Sequence, residues 1–350
     1  MKGSIKLFTI FGISINIHIT FFLLLLLVLP GGIRWVCLVI GVFFFVTMHE
    51  LCHSLAAKRF GIKVREITLL PIGGVAAMSK MPEKPSQELL ISHAGPLSNV
   101  VIIIVFYYPL KFLLGEAVLF HPLSAQTWPL TLAYVYWINL ILAAFNMLPA
   151  FPMDGGRVLR AILANWLGYQ KATRIAVNFG HIFALAFAYF GIIRFNIVLI
   201  VIAIFIYMAA SNEELQVDVK ETLKKFKVRD ILPHDFLTLQ RDTTLGKVLE
   251  LVFHSHQEDF PVLDGPVMVG FITRQDIMTG MHRFGTDKAV REIMMKDFPR
   301  AKDTDPLIKI QNIMHEKSVR ALPVMREDKV IGVVTIEDIG RIYAMTAQKV

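Results

Sequence analysis

A chain of 350 residues that is 55% hydrophobic and only 18% charged is not an ordinary soluble protein, in which about 25% of residues carry charge. Its formal charge of +8 does not point to nucleic acid, because Lys and Arg are spread along the flanks of apolar runs and through the tail, with no aromatic-interleaved basic patch. The two cysteines, Cys37 and Cys52, both fall in apolar runs and offer no disulfide framework.

The long apolar runs all lie before residue 211, so residues 1–211 read as a membrane domain and the remainder as a soluble one. The opening GSIKLFTIFGISINIHI, residues 3–19, alternates and is β-branched, which predicts a pair of strands. Apolar segments follow near 18–30, 33–56, 88–110, 130–151, 175–194 and 195–211, about six spans in all. The run at 18–30 has a long polar opening and no small-residue cleavage site, so it is expected to be retained. The basic residues Lys58, Arg59, Lys63, Arg65, Lys80 and Lys84 follow the second span, and Arg157, Arg160, Lys171 and Arg174 follow the fourth. Little more than Arg34, Lys111 and Arg194 stands on the other side. This asymmetry predicts a multi-pass protein of the cell membrane with both termini cytosolic.

Inside the second span, FFFVTMHELCHSLAAKRF (residues 43–60) carries His49, Glu50 and His53. Histidines four apart project from one helix face, and Glu50 stands beside them, the HExxH arrangement of zinc hydrolases. An ionisable cluster in an apolar helix is costly and marks function by default. A tetrahedral zinc needs a third protein ligand and keeps a fourth position for water. Asp154, in NMLPAFPMDGGRVLRA (residues 146–161), is the candidate, since two prolines break the apolar run before it at a depth where broken backbone needs protein or a wet cavity to satisfy it. A solvated Asp in a Pro/Gly turn is the alternative. Among the remaining histidines, His18, His93, His121, His181, His254 and His256 have no partner set at ligand spacing and read as structural.

HELCH (49–53), the Gly-Gly loop of LLPIGGVAAM (69–78), HAGPLSN (93–99) and NMLPAFPMDGG (146–156) together resemble the site-2 protease family of intramembrane zinc metalloproteases, in order and spacing. The resemblance implies one Zn2+ held by His49, His53 and Asp154, with Glu50 as general base. The stretch 64–78 can offer a strand edge to an unwound substrate segment, with Gly73 and Gly74 allowing close approach; an ordinary turn is the other reading of those glycines. The resemblance suggests that Asn139 and Asn146 orient substrate or line the cavity, and each can equally make an interhelical bond.

Residues 212–226 are charged and read as a helical linker. The soluble part then repeats itself at an offset of 62 residues, from VRDIL (228–232) to VREIM (290–294) and through FPVLDGPVMVGFITRQDI (260–277) to LPVMREDKVIGVVTIEDI (322–339). Each unit resembles a cystathionine-β-synthase-type (CBS) repeat, the first about 227–280 and the second about 289–342, with a tail at 343–350. The module 227–342 is expected to be α/β. Both units carry GhhTxxD, in which a hydroxyl at a helix N-terminus can receive phosphate and a carboxylate can accept from ribose. Thr273, Asp276, Thr335 and Asp338 are therefore candidate contacts to ATP, ADP or AMP, or else plain helix caps.

The expected fold is a polytopic α-helical membrane domain of about six transmembrane helices, with a small N-terminal and loop β element, followed by an α/β tandem CBS module. The expected function is that of an intramembrane zinc endopeptidase acting on a transmembrane or membrane-associated regulatory protein, in contact with the lipid bilayer and without nucleic acid, its CBS pair responding to nucleotide or mediating oligomerisation. A CBS-gated channel or transporter, and a scaffold that holds metal without catalysis, are the alternatives.

Overall fold

The computed structural model describes residues 3–78, 82, 84–120, 125–233, 235–255 and 257–347. Lys80, His121, His256 and the last three residues of the tail lie outside the described residues. The chain divides into two compact units, Met1–Leu215 and Gln216–Val350.

The first unit opens with β1 (Ser4–Ile10) and β2 (Ile13–His18), an antiparallel pair turned by Phe11 and Gly12, both at positive φ. The apolar run that follows forms α1 (Ile19–Val28), of 10 residues. At 1.5 Å per residue it reaches about half of the ~30 Å hydrocarbon thickness, and even with its 3-10 extension it ends at Gly31. The expected span at 18–30 is thus a shorter apolar helix than the others. Five helices among the described residues are long and apolar enough to cross a bilayer. They are α2 (Ile33–Arg59), α3 (Pro85–Leu114), α5 (Trp128–Asn146), α7 (Tyr169–Ile193) and α8 (Ile197–Lys225), with the short α4 (Glu116–Leu119) and α6 (Asp154–Leu167) between them. The last span and the charged stretch after it are one continuous helix, α8. The apolar run near 130–151 ends as helix at Asn146, leaving 147–153 irregular.

The α2 helix stops where Gly61 takes φ +74 and Ile62 N bonds back to Ala57 O, a turn that a side-chain-bearing residue adopts only with strain. Lys58 and Arg59 in its last turn complement the helix dipole. The chain then forms β3 (Val64–Leu70) and β4 (Gly73–Met78). β3 pairs in parallel with β2, so the N-terminal hairpin and the loop hairpin join in one four-stranded sheet, β1-β2-β3-β4, and β4 is an edge. Ile13, Ile15 and Ile67 from this sheet are buried in one core with Leu51 and Ala57 of α2.

Arg160 on α6 is fully buried. It pairs with Glu88 of α3 and, at 2.8 Å, with Glu213 of α8, and its guanidinium lies 4.7 Å from the ring centres of Phe151 and Tyr169. It is therefore not one of the solvent-facing loop cations that the charge asymmetry counts.

In the second unit β5 (Leu239–Gln240), α9 (Leu245–His254), β6 (Phe260–Asp264), β7 (Val267–Ile272) and α10 (Arg274–Phe284) form the first repeat. Its counterparts are β8 (Ala301–Lys302), α11 (Leu307–Lys317), β9 (Ala321–Arg326), β10 (Lys329–Thr335) and α12 (Ile336–Ala347). The opening segments are exchanged. Val228 N bonds to Asp305 O and its side chain joins the core of the second repeat, whereas Val290 N bonds to Thr243 O and its side chain joins the core of the first.

Candidate metal centre and active site

His49 and His53 lie one turn apart on α2, 4% and 6% exposed. Asp154 opens α6, and two glycines bring it to them. A Cβ on Gly155 would stand 2.5 Å from Met147 O, and one on Gly156 would stand 2.6 Å from Ala150 O. The first turn of α6 can thus pack directly on the 147–153 backbone only because both side chains are missing. His49 Nε2 lies 3.1 Å and His53 Nε2 3.0 Å from Asp154 Oδ2, and the two Nε2 atoms are 3.0 Å apart. The three form a possible metal-holding group among the described residues.

The outer ring nitrogens indicate what this cluster is built for. His53 Nδ1 faces the carbonyl of Ile91 at 2.6 Å, and His49 Nδ1 faces Asn99 Oδ1 at 3.1 Å. Both partners accept, so each Nδ1 carries the hydrogen, and in the neutral rings both Nε2 atoms present lone pairs. Two lone pairs and a carboxylate oxygen then face one another at 3.0–3.1 Å, an arrangement that is repulsive without a cation between them. Nitrogen and oxygen ligands at about 2.0–2.1 Å from a tetrahedral zinc stand about 3.3 Å from one another. The donor set and its spacing fit zinc.

The third wall is α3. A Cβ on Gly95 would stand against His53 Nε2 and 2.7 Å from His49 Nε2, so only glycine leaves the ligand atoms free. Asn99, one turn on, is fully buried and carries the bond to His49. Neither residue has a role in the sequence reading, although both lie in the HAGPLSN motif.

Glu50, His49, His53 and Asp154 all line a cavity of about 800 Å³. Gly73, Gly74, Val75 and Ala76 of the edge strand β4 line it too, as do Asn146 and Arg157. A Cβ on Gly74 would stand 2.7 Å from Glu50 Cγ, so this strand glycine is a point of close approach. Asn139 lies elsewhere. It is fully buried, and its Nδ2 donates to Asn99 O at 3.1 Å, a bond between α5 and α3.

In the second unit Thr273 Oγ1 accepts from Asp276 N, and Asp276 Oδ2 accepts from Thr273 N and Oγ1. Thr335 and Asp338 do the same at the start of α12, and Arg341 takes the other carboxylate oxygen of Asp338. Both pairs are reciprocal helix caps. Among the histidines outside the cluster, His18 caps α1, His93 bonds to Leu89 O, and His181 bonds to Ser211.

Comparison with known proteins gives a match to the peptidase family M50 model over residues 37–187 and to the CBS domain model over 228–283 and 290–344. The chain is 36% identical to a zinc metalloprotease of Methanocaldococcus jannaschii, over 100% of this chain and 98% of that protein. It is 26% identical to the stage IV sporulation protein FB of Bacillus subtilis, over 47% of this chain and 54% of that protein. Among solved structures, a site-2 protease from Methanocaldococcus jannaschii is 44% identical, covers 60% of this chain and 95% of its own, and superposes with a TM-score of 0.46.

Proposed function

The chain belongs to peptidase family M50, as an intramembrane zinc metalloprotease of the site-2 type with a tandem CBS pair, and from this we propose that it cuts a transmembrane or membrane-associated regulatory protein within its apolar segment. The observation that carries the reading is the meeting of His49 Nε2, His53 Nε2 and Asp154 Oδ2 within 3.0–3.1 Å, in a cavity that Glu50 and a sheet edge also line.

His49, His53 and Asp154 hold the zinc in this reading. Zinc bound there supplies Lewis acidity toward a carbonyl oxygen and toward water. Glu50 takes the proton of the attacking water and passes it to the leaving amine. The peptide groups of a transmembrane substrate are bonded within their own helix and need new partners once freed. The edge of β4 provides them by strand addition, with Gly73 and Gly74 allowing the backbone close to Glu50, and Asn146 holds substrate from the end of α5. Purified protein given a panel of single-span substrates is expected to cut within the apolar segment, to stop with a zinc chelator and to resume when zinc is restored. Ion conduction without any cleavage would favour the channel alternative instead.

Both termini and the CBS pair face the cytosol in this proposal, supported by the loop charges Lys58, Arg59, Lys63 and Arg65. Cysteine probes at Arg34, Lys111 or Arg194 should then label from outside, and probes at Lys63 should not. The CBS pair regulates proteolysis by binding ATP, ADP or AMP at the duplicated GhhTxxD, whose Thr273–Asp276 and Thr335–Asp338 pairs stand at helix N-termini. Regulation requires the nucleotide to favour one conformation of the pair, and a tenfold preference corresponds to about 1.4 kcal/mol. Calorimetric titration of the full chain with each nucleotide tests this. Absence of binding at millimolar concentration would leave the pair as a docking or dimerising module.

A further inference from the structure

We infer that Asn99, braced by Asn139, fixes the tautomer and orientation of His49 and thereby sets how tightly the site holds its metal; the inference rests on the zinc reading above. The two histidines are anchored differently. His53 Nδ1 donates to a main-chain carbonyl, Ile91 O, at 2.6 Å, which no side-chain substitution removes. His49 Nδ1 donates to a side chain, Asn99 Oδ1, at 3.1 Å. Asn99 is fully buried and His49 is 4% exposed, so water does not readily replace that bond. One ligand is therefore held by the fold and the other by a replaceable carboxamide.

The amide of Asn99 can point only one way. Its Nδ2 faces the Asn139 carbonyl oxygen at 3.5 Å, a group that only accepts, while Asn139 Nδ2 donates to Asn99 O at 3.1 Å. This reciprocal pair ties α3 to α5 and turns Oδ1 toward His49, with Ser98 Oγ also 3.3 Å from that oxygen. Because Oδ1 accepts, the ring hydrogen is on Nδ1 and the Nε2 lone pair points at Asp154 and His53. Gly95 stands one turn before Asn99 on the same face of α3. A single helix face thus clears the space for the ligand atoms and orients one of them. The partner is also neutral. An aspartate at position 99 would pass negative charge to the ring and make Nε2 a stronger donor to the metal, whereas asparagine orients the ring without that gain.

Asn99 is a positioning residue, so its test reads the metal rather than turnover. Zinc affinity of the purified full chain is measured by competition with a chromophoric chelator, together with the visible spectrum of the Co2+-loaded protein. Asn99→Ala is expected to weaken zinc binding by about 10–100-fold and to change the Co2+ bands. Asn139→Ala should move both in the same direction by less, and Asn99→Asp should bind zinc at least as tightly as the parent with altered bands. If Asn99→Ala does not fold, the near-isosteric Asn99→Asp carries the test through its Co2+ spectrum. Affinity within twofold of the parent and unchanged bands in the variants would overturn the inference while the zinc reading stands, provided that His49→Ala loses the metal. A parent protein that holds no zinc overturns that reading and this inference with it.

Discussion

A methyl group on Gly95 would stand 2.7 Å from His49 Nε2 and against His53 Nε2, in the space where the ligand atoms meet. Gly95→Ala is therefore expected to reduce zinc from about one per chain to a trace while helix content is unchanged, read by elemental analysis and circular dichroism; a full zinc complement would contradict the geometry. His49, Glu50 and His53 were legible from the sequence because helix periodicity alone puts them together. Gly95 and Asn99 were not, because their meaning depends on which face of α3 meets α2, and nothing within HAGPLSN states that. A second residue-scale expectation concerns the C-terminal unit. Burial, with the neighbouring carboxylates of Glu258 and Glu337, pushes the Asp259 carboxyl up to about 6, against about 3.9 in an unfolded chain. The folded state binds this proton more tightly, so the ionised group costs stability above about pH 6, and the cost fades as the pH falls toward 4. Asp259→Asn keeps an oxygen to accept from Arg274 N, the bond of 3.1 Å in the parent. In a 212–350 fragment it should raise the unfolding midpoint at pH 7.5 and give no such gain at pH 4; an equal gain at both would refute the assignment.

At the scale of elements, β4 is an edge strand that lines the cavity beside Glu50. Gly74→Val places bulk where a Cβ alone would stand 2.7 Å from Glu50 Cγ and 3.2 Å from Val46 Cγ1. The variant should keep its zinc and lose about tenfold or more in kcat/KM on a single-span substrate; unchanged kinetics would remove the strand edge from substrate binding. The opening pair of strands was visible from its alternation, and the β character of 64–78 from its β-branched residues and glycines, though not as a second hairpin. Their union into one sheet was not, because the β2–β3 pairing spans two helices and local pattern carries no record of it. The run at 18–30 has the composition of a span, and Pro30, Gly31 and Gly32 end it as a shorter apolar helix than the other five.

For the whole molecule, the division into an apolar unit and a duplicated polar one follows from composition and from the 62-residue offset alone. The exchange of opening segments between the repeats does not, since Val228 and Val290 occupy equivalent places in the sequence whichever core they enter. The metal cluster likewise joins residues 105 positions apart, His49 and Asp154, and the glycines after Asp154 make that approach possible. The central claim, that this cluster drives peptide hydrolysis with Glu50 as base, is tested most directly by Glu50→Gln. Zinc content and cleavage of one single-span substrate are measured on the same purified preparation, beside the parent. The account predicts about one zinc per chain in both proteins and cleavage only in the parent; cleavage by Glu50→Gln at the parent's rate would contradict it.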